Sequence, residues 1–256
     1  MLEFPEISFL DLLPFILVGL AAQIVDGALG MAFGVISSTL LGSFLGVPPA
    51  QVSASVHFAE VFTTGASGLS HAWLRNIDWT LFFRIVIPGV IGGVVGVYVL
   101  TSIDAGVARP FVMAYLAIIG LSLLYRAWRF PTPRISDPKF VAPLGLVGGF
   151  LDAAGGGGWG PVVTSNLLIQ GGDPRRVIGT VCASEFFLTV SVSLAFIATM
   201  GLSAFTTATV GLLIGGVIAA PFGALVARHV RPRMLMFLVG GVLTVTSLFT
   251  IVRALA

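Results

Sequence analysis

Charge is scarce in this chain. Only 9% of its 256 residues are Asp, Glu, Lys or Arg, against roughly 25% in an ordinary soluble domain. With 57% hydrophobic residues and a mean hydropathy of +1.05, that scarcity excludes a water-soluble globular protein. Cysteine is scarcer still: the single Cys182 excludes an internal disulfide and every multi-cysteine metal motif. The N-terminal stretch holds Glu3, Glu6 and Asp11 but no Lys or Arg. It therefore lacks the basic region of a cleavable signal peptide, and the first apolar segment is expected to stay in the mature protein. Also missing are a nucleophile–base pair, a Walker motif, a dinucleotide fingerprint and a metal-spaced histidine pair. No enzyme, cofactor or metal centre is expected. The net charge of +2 and pI near 9.1 come from loop arginines, so they do not argue for a nucleic-acid surface.

Long apolar runs are what the chain has in their place. Residues 85–100, 111–124 and 235–252 each approach the length that crosses a hydrocarbon core of about 30 Å. A lipid bilayer is therefore the first partner of this protein. Four acids interrupt the apolar sequence as two pairs: Asp26 and Asp152 are 126 positions apart, Glu60 and Glu185 are 125 apart. The superposition extends around them, with Asp26-Gly27-Ala28-Leu29-Gly30-Met31-Ala32-Phe33-Gly34 against Asp152-Ala153-Ala154-Gly155-Gly156-Gly157-Gly158-Trp159-Gly160. The spacing predicts an internal repeat: residues 1–128, a linker at 129–140, and residues 141–256. Each half reads as a long apolar segment broken by glycines, then three helices, at about 10–47, 51–73, 79–101 and 109–127, and again at 141–170, 175–200, 204–227 and 232–254. Each broken segment predicts two short helices forming a hairpin, re-entrant or spanning, of a kind tolerated at depth only under cover of protein or a cavity. Placing the arginine-containing linker inside the cell also puts Arg75, Arg175, Arg176, Arg228, Arg231 and Arg233 inside, which inverts the second half relative to the first. The expected fold is an all-α polytopic membrane protein of two inverted repeats, with eight to ten membrane segments. Inverted repeats with discontinuous helices recur in secondary transporters, whose sites lie between the repeats.

Four sets of residues are candidates for chemistry. The segment after residue 51 carries Ser53, His57, Glu60, Thr64, Ser67 and His71, spaced to share one helical face, and Cys182, Glu185, Thr189 and Ser193 form a shorter counterpart. For the hydroxyls, interhelical hydrogen bonding accounts for the pattern. Glu60 and Glu185 are better explained by proton coupling or gating, because a carboxylate is costly in lipid where a neutral group would serve. His57 and Glu60 are near enough on one helix to pair and share a proton. The glycine breaks offer unsatisfied backbone N–H groups at helix starts, an anion site needing no basic side chain. Gly30 and Gly34 suit either anion binding or tight packing. The run Gly155, Gly156, Gly157 and Gly158 favours binding, since packing alone would not need four glycines, and Trp159 could wall the pocket. Ser38, Thr164 and Asn166, among neighbouring hydroxyl and amide groups, suit an oxyanion. Asp26 and Asp152 could cap the second short helix of each hairpin, take coupling protons, or both.

These motifs, with Ser55-Val56-His57-Phe58-Ala59-Glu60, Ser67-Gly68-Leu69-Ser70-His71 and Gly179-Thr180-Val181-Cys182-Ala183-Ser184-Glu185-Phe186-Phe187, resemble the sulfite exporter TauE/SafE family of small membrane permeases over nearly the whole chain. The resemblance implies transport of sulfur oxyanions or organosulfonates, such as sulfite or sulfoacetate, across the bacterial inner membrane. Met31, Ala32 and Phe33 depart from a fully glycine-rich break in the first half. The reading that follows is a secondary transporter holding a small anion between the breaks, with His57 and Cys182 at its edge and the acids moving protons. A divalent-cation transporter using the carboxylates, and a non-transporting membrane scaffold, are the alternatives. The sequence leaves the oligomeric state open, a homodimer among the options.

Overall fold

The computed structural model describes residues 9–29, 31–129, 137–229 and 232–255, and every element among them is helical. The helices are α1 (Phe9–Leu29), α2 (Phe33–Ser43), α3 (Pro49–Trp73), α4 (Trp79–Ser102) and α5 (Ala105–Arg129), then α6 (Val141–Gly155), α7 (Ser165–Ile169), α8 (Pro174–Met200), α9 (Thr207–His229) and α10 (Pro232–Leu255). A π-helical turn, Gly160–Thr164, leads into α7, and a 3₁₀ turn, Gly201–Ala204, precedes α9. The chain is an all-α integral membrane protein. Among the described residues, four helices are long and apolar enough to cross a bilayer, at Phe9–Asp26, Trp79–Ser102, Ala105–Arg129 and Arg176–Ala204. The 25-residue α3 equals α5 in length, but its polar stripe dilutes its apolar character.

Local chemistry sets the helix ends. Asp78 precedes α4 and accepts the N–H groups of Thr80 and Leu81, each at 3.0 Å. Asp173 does the same for Arg176 at 3.0 Å, with Pro174 at the first helical position. Both satisfy donors that a helix start leaves free. The segments broken by glycine do divide in two, but unequally. α1 has 21 residues, about 31 Å of helix, so the expectation of two short helices is corrected for the first half. α2 has 11 residues, about 16 Å, and α6 has 15, about 22 Å.

Packing crosses the two halves. α1 lies against α9 and α6 against α4, while α3 pairs with α8 and α5 with α10. Exchanging the halves maps this set of partners onto itself. Glycine makes the close approaches: a methyl group at Gly96 would sit 2.7 Å from the Phe150 carbonyl oxygen, and one at Gly19 would sit 2.6 Å from that of Leu212. Such backbone contact is how helices associate where lipid removes the hydrophobic drive between them. The outward faces carry exposed Phe111, Ile118, Tyr125, Val245 and Phe249, as a lipid-facing surface should, and Trp73, Trp79 and Trp128 are exposed near helix ends.

Candidate functional site

The two glycine breaks meet at the centre of the molecule, backbone to backbone. A methyl group at Gly34 would lie 2.8 Å from Gly157 Cα and 3.0 Å from Glu60 Oε1. Gly157 and Gly158 hold φ of +136° and +145°, which side-chain-bearing residues rarely adopt. The Tyr115 ring occupies the space beside Gly155 and its hydroxyl covers Gly158, while the Ser38 hydroxyl donates to the Gly156 carbonyl. All four glycines of the run are therefore closely packed. The expectation that packing would leave some of them over is corrected, because Tyr115 lies against Gly155 and Gly158, Ser38 against Gly156 and Gly34 against Gly157.

The helix starts at the breaks are not open donors. Asp26 Oδ1 accepts the N–H groups of Ala32 at 2.7 Å and Phe33 at 3.1 Å, and the Gly34 N–H is directed to the Glu60 carboxylate. In the second half, Asp152 Oδ1 accepts the Trp159 N–H at 2.7 Å. Phe33 and Trp159 each stand seven residues beyond their aspartate. The same capping geometry thus occurs in both halves. A free anion at either start would meet donors that already hold the protein's own carboxylates.

His57 is fully buried, and its partner is not Glu60. Its Nε2 lies 2.9 Å from Asp152 Oδ2, across the boundary between the halves, and its Nδ1 lies 2.7 Å from the Ser53 carbonyl oxygen. The Ser53 hydroxyl donates to the Ala153 carbonyl at 2.6 Å. α3 is thereby fastened to the C-terminal turn of α6 by two side chains one helical turn apart. The expected His57–Glu60 pair gives way because Glu60 turns toward Gly34, leaving Asp152 as the carboxylate that the imidazole reaches. Asp152 also interacts electrostatically with Glu60, Glu185 and the Tyr115 phenol, as Asp26 does with Glu60 and Glu185. Each of the two glutamates thus lies within electrostatic reach of the other three acids.

The remaining candidates divide. Cys182 is buried near Glu185 and Asp26, with the Ser67 hydroxyl as hydrogen-bond partner. Trp159 is fully enclosed, its indole ring packed against Gly89 and its Nε1 donating to the Val181 carbonyl at 3.4 Å. Thr164 is buried in the π turn. Asn166 is exposed, and its amide donates to the Val162 carbonyl at 2.7 Å, so it does not join the cluster. Gly30 lies outside the described residues. Thr64 returns its hydroxyl to the Glu60 carbonyl at 2.5 Å and Thr189 to that of Phe186 at 3.0 Å, so both bond to their own helices rather than across them. Sequence reasoning missed Tyr115 and treated Ser53 only as one member of a stripe. The Tyr115 hydroxyl oxygen is buried without a hydrogen-bond partner. The Tyr115 side chain borders a cavity of about 220 Å³ whose lining includes Phe111, Phe150, Ala154 and Gly155. A titratable phenol within an apolar run was the signal available for it. Among the described residues, no three His, Cys, Asp or Glu side chains stand in an arrangement that could hold a metal ion.

Residues 15–250 match the family model described as Sulfite exporter TauE/SafE. The chain is 41% identical over 250 residues to a protein of Bacillus subtilis (strain 168) named "Probable membrane transporter protein YtnM", covering 94% of this chain and 83% of that relative. No solved structure matches.

Proposed function

We propose, from the premise that this chain belongs to the sulfite exporter TauE/SafE family, that it is a proton-linked secondary transporter of small sulfur-containing anions such as sulfite or organosulfonates. The chain is a membrane transport protein and not an enzyme. Its place is the bacterial inner membrane, and its two halves are inverted repeats with the anion site between them. Contacts between loops support that topology. Asp78 and Arg176, Trp128 and Arg233, and Lys139 and Gln170 come together, each pair joining ends that the charge pattern assigns to the inner face. Arg109 bonds to the Gly46 carbonyl at 2.8 Å, joining two ends assigned to the outer face.

The observation that carries the reading is the occupation of the α2 start by Glu60. A carboxylate directed to the Gly34 N–H is a tethered anion on an anion site. In the proposed cycle Glu60 takes up a proton and withdraws, and the substrate oxyanion takes its place at the Gly34 N–H. The Ser38 and Tyr115 hydroxyls, with Cys182, complete its surroundings, and Glu185 carries or gates a proton from the other half. The abutting breaks correspond to an occluded state, and separating them opens the site to one face.

The test is transport by purified protein in liposomes. Sulfoacetate flux should rise with an inward proton gradient, and Glu60→Gln with Glu185→Gln should weaken that dependence. Identical flux in wild type and the double variant contradicts the role given to the glutamates. Accumulation of divalent metal without sulfonate movement favours the cation reading instead.

A further inference from the structure

We propose that His57 and Asp152 form a second proton-carrying unit of this transporter beside Glu60, holding one exchangeable proton between the two halves and admitting the anion only while it is held. The inference rests on the transport reading and goes beyond it in assigning the proton to a specific contact.

The assignment follows from counting donors. A carbonyl oxygen can only accept, so the 2.7 Å contact between Nδ1 and the Ser53 carbonyl fixes a hydrogen on Nδ1. A neutral imidazole with its hydrogen on Nδ1 has a lone pair on Nε2. That lone pair cannot face an ionised carboxylate at 2.9 Å, since neither atom would donate. The contact therefore contains a second proton, whether the pair is imidazolium with carboxylate or imidazole with carboxylic acid. Ser53 does not supply it, because its hydroxyl is used on the Ala153 carbonyl. The Trp159 N–H does not supply it either, because it is spent on the other oxygen, Oδ1.

Release of that proton to water takes the pair from a net charge of zero to minus one and leaves Nδ1–H in place. The groups facing the pair make this change count. Glu60 lies on α3 itself, Glu185 comes from α8, Asp26 from α1 interacts with both glutamates, and the Tyr115 phenol comes from α5. His57 is the only one of these groups that can be cationic. An entering oxyanion is thus opposed by the pair without its proton and accepted by the pair with it. Loss of the proton also sets Nε2 against Oδ2, loosening the tie between α3 and the second break. One site then links charge compensation to the contact that holds the halves together.

The direct test is ¹⁵N NMR of the full chain in lipid nanodiscs with labelled histidine. Three histidines are present, and His57→Gln identifies the His57 signals. The proposal predicts that Nδ1 stays protonated through the titration while only Nε2 responds. Adding sulfoacetate at fixed pH should drive Nε2 toward its proton-associated form. It further predicts that this proton contributes about tenfold per pH unit to the fall of sulfoacetate affinity on the alkaline side, in addition to the contribution of Glu60. That contribution should be absent in Asp152→Asn, whose amide can donate to Nε2 permanently. A titrating Nδ1, or an unchanged slope in Asp152→Asn, overturns the proposal. The NMR titration without ligand needs neither a variant nor a correct substrate. If wild-type protein ignores sulfoacetate but Nε2 alone titrates, the substrate reading fails and the proton assignment stands.

Discussion

His57 Nε2 and Asp152 Oδ2 lie 2.9 Å apart, both buried, one on each half of the chain. Removing one member of such a pair strands the other as an uncompensated buried group. His57→Ala should therefore destabilise the protein by about 3–5 kcal/mol, seen as a marked fall in unfolding midpoint in detergent. Asp152→Asn should cost much less, because an amide can still accept from Trp159 N–H and donate to the imidazole. Equal costs for the two variants would contradict the donor count.

Gly34 is where the breaks touch. Gly34→Ala forces a methyl group to within 2.8 Å of Gly157 Cα and 3.0 Å of Glu60 Oε1. Overpacking of this kind costs about 1–3 kcal/mol, and here it also pushes Glu60 off the α2 start. The expected outcome is a lowered unfolding midpoint together with reduced sulfoacetate flux. An unchanged midpoint would show that the breaks separate without cost.

Tyr115 presents a buried hydroxyl that the protein does not use. Tyr115→Phe should leave stability within about 0.5 kcal/mol while weakening sulfoacetate binding by roughly 2- to 10-fold, the worth of one hydrogen bond. Paired thermal-shift and binding measurements separate these effects. A large loss of stability with unaltered affinity would make the hydroxyl structural.

Asp26 caps α2 through two N–H groups. Asp26→Ala should cost about 0.5–2 kcal/mol, in the range of lost helix caps, and Asp26→Asn should recover most of it. If Asp26→Asn instead abolishes proton-driven transport with stability intact, the charge of Asp26 matters beyond its capping.

The helices were legible in the sequence because hydrophobic runs and glycine breaks are local signals. α3 shows this well: the spacing of Ser53, His57 and Glu60 placed them on one face, and all three are buried. What local signals cannot give is which side chain meets which across the fold. His57 was expected to pair with Glu60 three residues away, and it pairs instead with Asp152, 95 residues away. The run of four glycines had an ambiguous meaning for the same reason. Tyr115, Gly34 and Ser38 come to it from other helices, and no spacing within residues 155–158 announces them. The length of α1 was hidden because Gly27, which reads as part of the break, belongs to the helix.

The most direct measurement of the central claim is simultaneous recording of sulfoacetate uptake and internal pH in proteoliposomes. The anion's own charge is constant above about pH 6, well past the titration of a carboxyl group. Proton movement can then be attributed to the protein. The account predicts that sulfoacetate and protons enter together, with uptake faster as the outside is made more acidic, and that fewer protons accompany each sulfoacetate in the Glu60→Gln, Glu185→Gln protein. Sulfoacetate entry without proton movement, or equal coupling in the double variant, would contradict it.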